Sequence, residues 1–209
     1  MVSGDQKQTS KKACWRVISA PHSCDVETEV ACGFGVRSPE FIFDELNLKA
    51  GDCFLDAGCG PGEYAMLAAK RVDTQGAVIA LDRDPFMIRQ VKRKAESLGI
   101  ENISAQLGEL GTPLALADQG VDSCLVSAVL HMPGLDDRWD VLFGEIYRVL
   151  RFAGRLGIVE RCQENVSPDQ PLHLRLTPET IIAGIEQHGF QKCKLVELGS
   201  SCFIVFERI

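Results

Sequence analysis

Residues 54–64 read FLDAGCGPGEY, and this stretch decides the fold. Apolar residues and Asp56 lead into glycines at alternate positions, Gly58, Gly60 and Gly62, and a helix-forming run follows from Tyr64. The pattern predicts a buried strand that breaks into a tight turn before a helix. Glycine reaches positive φ at little cost and has no Cβ, so the backbone of such a turn can lie against a ligand. The helix N-terminus adds N–H groups that favour a polar or anionic ligand group.

The residues around the glycines narrow the class of ligand. A dinucleotide fingerprint needs a glycine where this chain has Glu63, and the G-x-x-x-x-G-K-[ST] motif of nucleoside triphosphate sites does not occur. Asp56 lies two residues before the first glycine and favours a ligand with a cationic group near the strand end. An NAD-dependent oxidoreductase is the alternative at the level of the fold, and it would bind NADH.

Four further segments follow in a fixed order. Residues 78–82, VIALD, read as a second buried strand that ends in Asp82, 24 residues after Gly58. Residues 121–127, VDSCLVS, read as another strand. The four segments, in chain order, are 78–82 (VIALD), 108–110 (GEL), 121–131 (VDSCLVSAVLH) and 148–160 (RVLRFAGRLGIVE).

Together with the glycine motif, these segments resemble the class I S-adenosylmethionine-dependent methyltransferases over roughly residues 38–209. The chain departs from most relatives in having Phe-Ala-Gly at 152–154 instead of Pro-Gly-Gly. It looks most like the subgroup of quinone-biosynthesis C-methyltransferases and small-molecule enzymes, methyltransferase type 11. The resemblance implies S-adenosylmethionine as cofactor, S-adenosylhomocysteine as product and a small-molecule methyl acceptor.

The resemblance also implies a set of cofactor-binding residues. Asp82 would accept both ribose hydroxyls; it could instead cap the next helix, although Asp84 fills that role better. Glu109 would lie near the adenine amino group, with a solvated loop carboxylate as the alternative. The set is Asp56, Gly58, Cys59, Gly60, Gly62, Asp82, Arg83, Glu109, Leu110 and Ser127.

The implied reaction is direct in-line displacement at the sulfonium methyl group, which requires neither a nucleophilic side chain nor a metal. A general base is needed only if the acceptor must lose a proton. His131 is the candidate because it follows the strand at 121–127, at the sheet edge where ligands bind in such folds. The alternative is that His131 packs against the cofactor or fixes its loop.

The order of predicted elements indicates the fold class. After the glycine motif, helices are predicted at 63–72, 84–98 and 136–150, and strands at 77–82, 102–107, 121–127 and 154–160. Alternation of this kind predicts a parallel sheet with helices on both faces. Two runs at 194–198 and 202–207 are joined by only three residues and must form an antiparallel hairpin. The resemblance implies the same Rossmann-like α/β fold, a mostly parallel seven-stranded sheet that ends in such a hairpin.

Composition agrees with one enzyme domain. The 209 residues are 45% hydrophobic, and a net charge of −7 disfavours nucleic acid as a partner. Residues 1–37 are expected to form a flexible or lid segment before a domain at 38–209, and 161–175 offers little for substrate recognition. A small acceptor, or help from a second subunit in a homodimer, is therefore expected.

The chain has nine cysteines without C-x-x-C pairs. Their odd number and the lack of a signal peptide favour a reducing cytoplasm over a disulfide framework, and no run is long enough for a membrane span. Related metalloid methyltransferases bind arsenite through cysteines, and Cys32 and Cys162 lie in comparable places. Arsenite or thiol methylation is thus one alternative function. A non-catalytic S-adenosylmethionine-binding protein is another.

Overall fold

A seven-stranded sheet forms the centre of the computed structural model, which describes residues 38–162 and 176–209. The spatial order of its strands is β3-β2-β1-β4-β5-β7-β6. Strands β1 to β5 pair in parallel, whereas β7 runs antiparallel to both β5 and β6. The strands are β1 Cys53–Ala57, β2 Ala77–Asp82, β3 Ile103–Leu107, β4 Val121–Ser127, β5 Leu150–Arg161, β6 Phe190–Leu198 and β7 Ser201–Arg208. The predicted fold class and its terminal hairpin are confirmed.

Side chains cap two of the described helices. Asp84 caps α3 by accepting a hydrogen bond from the Phe86 N–H at 2.7 Å, and Thr177 caps α5 through the Thr180 N–H at 3.2 Å. Ser38 makes no side-chain capping bond, so the start of α1 depends on Pro39 instead. The helices are α1 Pro39–Glu45, α2 Glu63–Val72, α3 Pro85–Ser97, α4 Trp139–Val149 and α5 Pro178–Glu186.

Apolar residues cover both faces of the sheet. Strand β1 is buried along its whole length, as expected for a strand between two helix layers. Phe43 of α1 and Val91 of α3 belong to one buried cluster, together with the buried face of α2. Phe143 of α4 and Ile185 of α5 belong to the cluster on the other face. The sheet is therefore covered on both sides, and its strand ends remain as the place for a site.

Strand β5 begins earlier than the sequence predicts. The structure starts it at Leu150, against a prediction of 154–160, and the helix predicted at 136–150 begins as a 3₁₀ turn and ends at Val149. Leu150 pairs with Val121 and Arg155 with Ser123, so the residues between them bulge out of the ladder. Ala153 in this bulge has a φ of 57°, which no propensity rule anticipates.

Two predicted features lie outside the described residues: the flexible or lid segment at 1–37, and residues 163–175 of the stretch that is expected to offer little for substrate recognition. None of the helices that the structure describes is long and apolar enough to cross a membrane.

Candidate functional site

A cavity of about 600 Å³ opens where strands β1, β2 and β4 end. Parallel α/β sheets bind ligands at this edge, and the volume suits a nucleoside-sized molecule. Asp56, Asp82 and Ser127 bring the three strand ends into its wall. Nine of the ten predicted cofactor-binding residues line it, namely Asp56, Gly58, Cys59, Gly60, Asp82, Arg83, Glu109, Leu110 and Ser127.

The glycine loop leaves its backbone open toward the cavity. Gly60 has a φ of 50°, and a Cβ built there would meet nothing within 4 Å. Gly58 has a φ of 81°, and a Cβ there would collide with the Val129 side chain. Gly62 is not among the residues that line the cavity and is the N-cap residue of α2. The main chain at Gly60 is therefore accessible to a ligand, whereas Gly58 packs against the Val129 side chain.

Asp82 joins the end of β2 to the glycine loop. Its Oδ2 accepts a hydrogen bond from the Gly60 N–H at 2.8 Å, and its Oδ1 accepts one from the Asp84 N–H at 2.8 Å. A carboxylate offers about four acceptor positions, so both oxygens can accept further hydrogen bonds from a ligand. The prediction that Asp84 and not Asp82 caps α3 is confirmed.

Asp56 is a buried acid with an unused acceptor. Its side chain is nearly inaccessible, and within the described part of the chain its Oδ2 has no hydrogen-bond partner. Burial raises the pKa of Asp56 to about 7, the Asp82 charge adds to this, and a backbone hydrogen bond from Ala65 opposes it. A cationic ligand group beside Asp56 would relieve the cost of ionising it.

Glu109 lies on the cavity wall and forms an ion pair that the sequence does not predict. Its Oε1 accepts a hydrogen bond from Arg138 Nη1 at 3.0 Å, and Arg138 also lines the cavity. Both side chains are about half exposed, so the pair adds little stability. The pair occupies Oε1 of Glu109, and the carboxylate can still accept further hydrogen bonds at the cavity rim.

His131 lies beside the cavity and is not among the residues that line it. Met132 and Val129 line the cavity on either side of it in sequence, and the His131 side chain is 41% exposed. Its Nδ1 lies 2.8 Å from Oε1 of Glu160, at the end of β5. The structure thus places the predicted base at the expected edge, with a carboxylate partner that the sequence analysis did not identify.

The cysteines depart from the expectation at one pair. Cys162 and Cys202, 40 residues apart, form a disulfide because β7 runs antiparallel to β5 and brings the start of β7 beside the end of β5. Cys53, Cys59, Cys124 and Cys193 form no disulfide, whereas Cys32 lies outside the described residues. Burial, followed by the charges of Asp56 and Asp82, raises the pKa of the Cys59 thiol well above its usual range, so Cys59 behaves as an apolar wall.

Several cavity residues were missed by the sequence analysis. Glu63 and Tyr64 follow the glycines, and the segment from Met132 to Leu135 closes the opposite side. The Pro-Gly pair at 133–134 is a turn signal that could have indicated this second loop. Among the described residues, no group of three or more His, Cys, Asp or Glu side chains could hold a metal ion.

Comparison with known proteins places this geometry in context. Residues 48–195 match the family model described as a methyltransferase domain. An arsenite methyltransferase from Halobacterium salinarum is 32% identical over 170 residues, which cover 80% of this chain and 41% of the relative. A demethylmenaquinone methyltransferase from Lactobacillus johnsonii is 31% identical over 145 residues, covering 69% of this chain and 58% of the relative.

Comparison with solved structures agrees with the sequence comparison. A SAM dependent methyltransferase from Aquifex aeolicus superposes with a TM-score of 0.73 at 25% identity, covering 84% of this chain and 92% of that one. This chain, in contrast, spans about two fifths to three fifths of the length of the two curated relatives.

Proposed function

This chain belongs to the S-adenosylmethionine-dependent methyltransferase domain family, and from that premise we propose that it transfers a methyl group from S-adenosylmethionine to a small-molecule acceptor. One observation carries the proposal. Two carboxylates, Asp56 and Asp82, face one cavity across a glycine loop whose main chain is open at Gly60. A ligand with a cation at one end and a diol at the other matches that arrangement.

The cavity residues fit the cofactor part by part. Asp56, with its unused oxygen, would hold the ammonium group, and the open main chain at Gly60 would lie against the amino-acid moiety. Asp82 would accept both ribose hydroxyls, while Glu109 and Leu110 would border the adenine. When bound, S-adenosylmethionine supplies an activated methyl group on a sulfonium. No phosphate group is called for, in keeping with the acids that line the cavity.

The protein's part in the reaction is mainly alignment. Residues of the cavity wall would hold the acceptor atom within about 3–3.5 Å of the methyl carbon and exclude water, which contributes roughly 7–11 kcal/mol to lowering such barriers. Val129, Met132 and Leu135 give the wall beyond the cofactor residues an apolar character. This supports a small, largely apolar acceptor over a nucleic acid, as does the net charge of −7.

The compartment and the assembly state belong to the same proposal. Four of the described cysteines form no disulfide, which supports a reducing cytoplasm, although the Cys162–Cys202 disulfide argues in the other direction. The proposal includes a homodimer, because the sequence offers few residues to enclose the methyl acceptor and a second subunit would complete that side of the pocket.

His131 is the proposed general base for an acceptor that must lose a proton. Replacing it by Ala is expected to lower kcat about 100-fold, because a positioned base contributes at least this much to proton removal. The dissociation constant of S-adenosylmethionine should stay within about twofold of wild type, since His131 does not line the described cavity wall. Steady-state kinetics and calorimetry on the same preparation measure the two quantities. Undiminished turnover would exclude the base role.

The proposed function is tested by binding and by transfer. Calorimetric titration with S-adenosylmethionine should give one site per chain, and tritium from the labelled methyl group should appear in small molecules of a cell extract. Tight binding without any transfer across a broad screen of acceptors would favour a non-catalytic S-adenosylmethionine-binding protein. Affinity for NADH in place of S-adenosylmethionine would favour the oxidoreductase alternative.

A second candidate function is arsenite methylation, favoured by the juxtaposed sulfurs of Cys162 and Cys202. Once reduced, two neighbouring thiols form a soft ligand pair suited to trivalent arsenic. This pair differs from the predicted pair of Cys32 and Cys162. The arsenite methyltransferase among the relatives adds support.

The arsenite candidate predicts protection from alkylation. In the reduced protein, arsenite should slow iodoacetamide labelling of Cys162 and Cys202 at least about tenfold. The exposed free thiol of Cys193 is the internal control and should label at an unchanged rate. Peptide mass spectrometry measures each site separately. Equal labelling of Cys162 and Cys202 with and without arsenite would remove the candidate.

A further inference from the structure

Glu160 is a fully buried carboxylate whose oxygens lie within hydrogen-bond distance of three nitrogens from its surroundings. Its Oε2 accepts from the Leu130 N–H at 2.8 Å, and its Oε1 accepts from the Arg161 N–H at 2.9 Å. His131 Nδ1 lies 2.8 Å from the same Oε1. Burying an acid is costly unless its oxygens are satisfied, and these bonds satisfy both of them.

The donors determine which nitrogen of His131 carries the proton. A carboxylate has no proton to donate, so both Glu160 oxygens act only as acceptors. His131 Nδ1 therefore supplies the proton in its bond to Oε1. In the neutral ring, Nε2 then has the free lone pair, and the imidazole can accept a proton there.

Glu160 also holds the loop that carries His131. Ala128, at the start of this loop, has a φ of 56°, which is uncommon for a residue other than glycine, and its N–H donates to the Val159 carbonyl at 2.8 Å. The Leu130 N–H bond to Glu160 fixes the next turn of the same loop. Strained loop residues persist when their surroundings hold them, and here the end of β5 does so.

We propose that Glu160 is a positioning residue that holds His131 as the Nδ1–H tautomer, with Nε2 ready to take a proton from the methyl acceptor. The inference rests on the proposed function and deepens it by naming the acceptor class. That class is a group with a dissociable proton: an alcohol, a phenol, or a carbon acid activated by a neighbouring carbonyl. A tertiary amine or a thioether, which loses no proton, would gain nothing from this pair.

The step balances without any further reactant. For a hydroxyl acceptor, the O–H bond breaks, its proton goes to Nε2 of His131, and the oxygen forms a bond to the methyl carbon. The methyl–sulfur bond breaks and its electron pair stays on sulfur, which becomes a neutral thioether. Glu160 stabilises the imidazolium that forms, and the imidazolium then returns its proton to water.

The first test uses the wild-type protein and needs no acceptor. With ¹⁵N-labelled histidine at alkaline pH, where imidazoles are neutral, the shifts of the two ring nitrogens report the tautomer. The chain has four histidines, and the signal missing in His131→Ala assigns the ring in question. We expect protonated Nδ1 and unprotonated Nε2. A ring protonated at Nε2 would overturn the inference.

The second test is a double-mutant cycle on turnover. Glu160→Gln should lower kcat about tenfold and leave KM for the acceptor and the dissociation constant of S-adenosylmethionine within about twofold. In the His131→Ala background, the same substitution should have no further effect on kcat, because Glu160 acts through His131. Glu197→Gln makes the same chemical change at an exposed position of β6 and should behave as wild type.

The outcomes separate the inference from the function on which it rests. If Glu160→Gln lowers kcat equally with and without His131, Glu160 has only a structural role and the inference fails, while methyl transfer stands. If the wild type transfers no methyl group to any acceptor, the proposed function fails and the inference fails with it. Should Glu160→Gln not fold, the wild-type tautomer measurement still decides.

Discussion

Replacing Asp82 by Ala is expected to raise the dissociation constant of S-adenosylmethionine about 1000-fold. Hydrogen bonds to a charged acceptor contribute about 1.5–3 kcal/mol each, and Asp82 is expected to accept two of them, from the ribose hydroxyls. The substitution also removes the acceptors for the Gly60 and Asp84 N–H groups, which loosens the loop around the ligand. Isothermal titration calorimetry measures the change.

The control for this result is Glu101→Ala. Glu101 is exposed and lies just before β3, at the opposite edge of the sheet from the cavity. It should bind the cofactor as wild type does. Asp82→Asn keeps the size of the side chain and one acceptor oxygen, so its affinity should lie between wild type and Ala. An affinity for Asp82→Ala within threefold of wild type would contradict the assigned role, provided that thermal melting shows a folded protein.

The stability of the cofactor-free protein is expected to fall as pH rises from about 4 to about 7 because of Asp56. Burial raises the pKa of Asp56 from 3.8 to about 7 in the folded state. Between these values the folded state holds a proton that the unfolded state has lost, so each pH unit costs up to about 1.4 kcal/mol of unfolding free energy. The loss attributable to Asp56 is about 4 kcal/mol and is complete above pH 7.

Asp56→Asn isolates this contribution. The amide has no charge to bury and keeps an acceptor oxygen for the Ala65 N–H, so the variant should be about 4 kcal/mol more stable than wild type at pH 8. At pH 4 the two proteins should be similar. Urea denaturation at both pH values measures the difference. Equal unfolding free energies at pH 8 would show that Asp56 carries no such cost.

Cofactor binding should respond to Asp56 in the opposite sense. An ammonium group beside the carboxylate favours its ionised form, so the affinity of wild type for S-adenosylmethionine should rise as pH increases toward about 7. Asp56→Asn should bind more weakly at pH 8 and lose most of this pH dependence. The same acid would then destabilise the empty protein and strengthen the complex.

Much of the fold could be predicted because local signals agree with one another. The strand around Leu55 is a mostly apolar run, and Asp84 caps α3 as the sequence predicts. The predicted connection of only three residues between the last two strands excludes a parallel crossover, so the antiparallel hairpin follows from chain length alone. The early start of β5 could not be predicted, because Leu150 joins β4 across a bulge that depends on strand pairing.

The cofactor-binding residues of the candidate site could also be predicted from sequence. The contacts of His131 and Cys162 with residues from other strands could not. Asp56 and Asp82 end neighbouring parallel strands, so sequence order alone brings them to one edge. Glu160 and His131, in contrast, meet through the parallel pairing of β4 with β5, and Cys162 meets Cys202 through the antiparallel pairing with β7. Strand register is a property of the packed sheet, and local sequence patterns carry little information about it.

A crystal structure of the protein grown with S-adenosylhomocysteine is the most direct test of the central claim. We expect the nucleoside in the cavity of about 600 Å³, with its ribose diol on Asp82, its ammonium beside Asp56 and its amino-acid moiety against Gly60. A ligand bound elsewhere, or a cavity that remains empty at millimolar ligand, would contradict it.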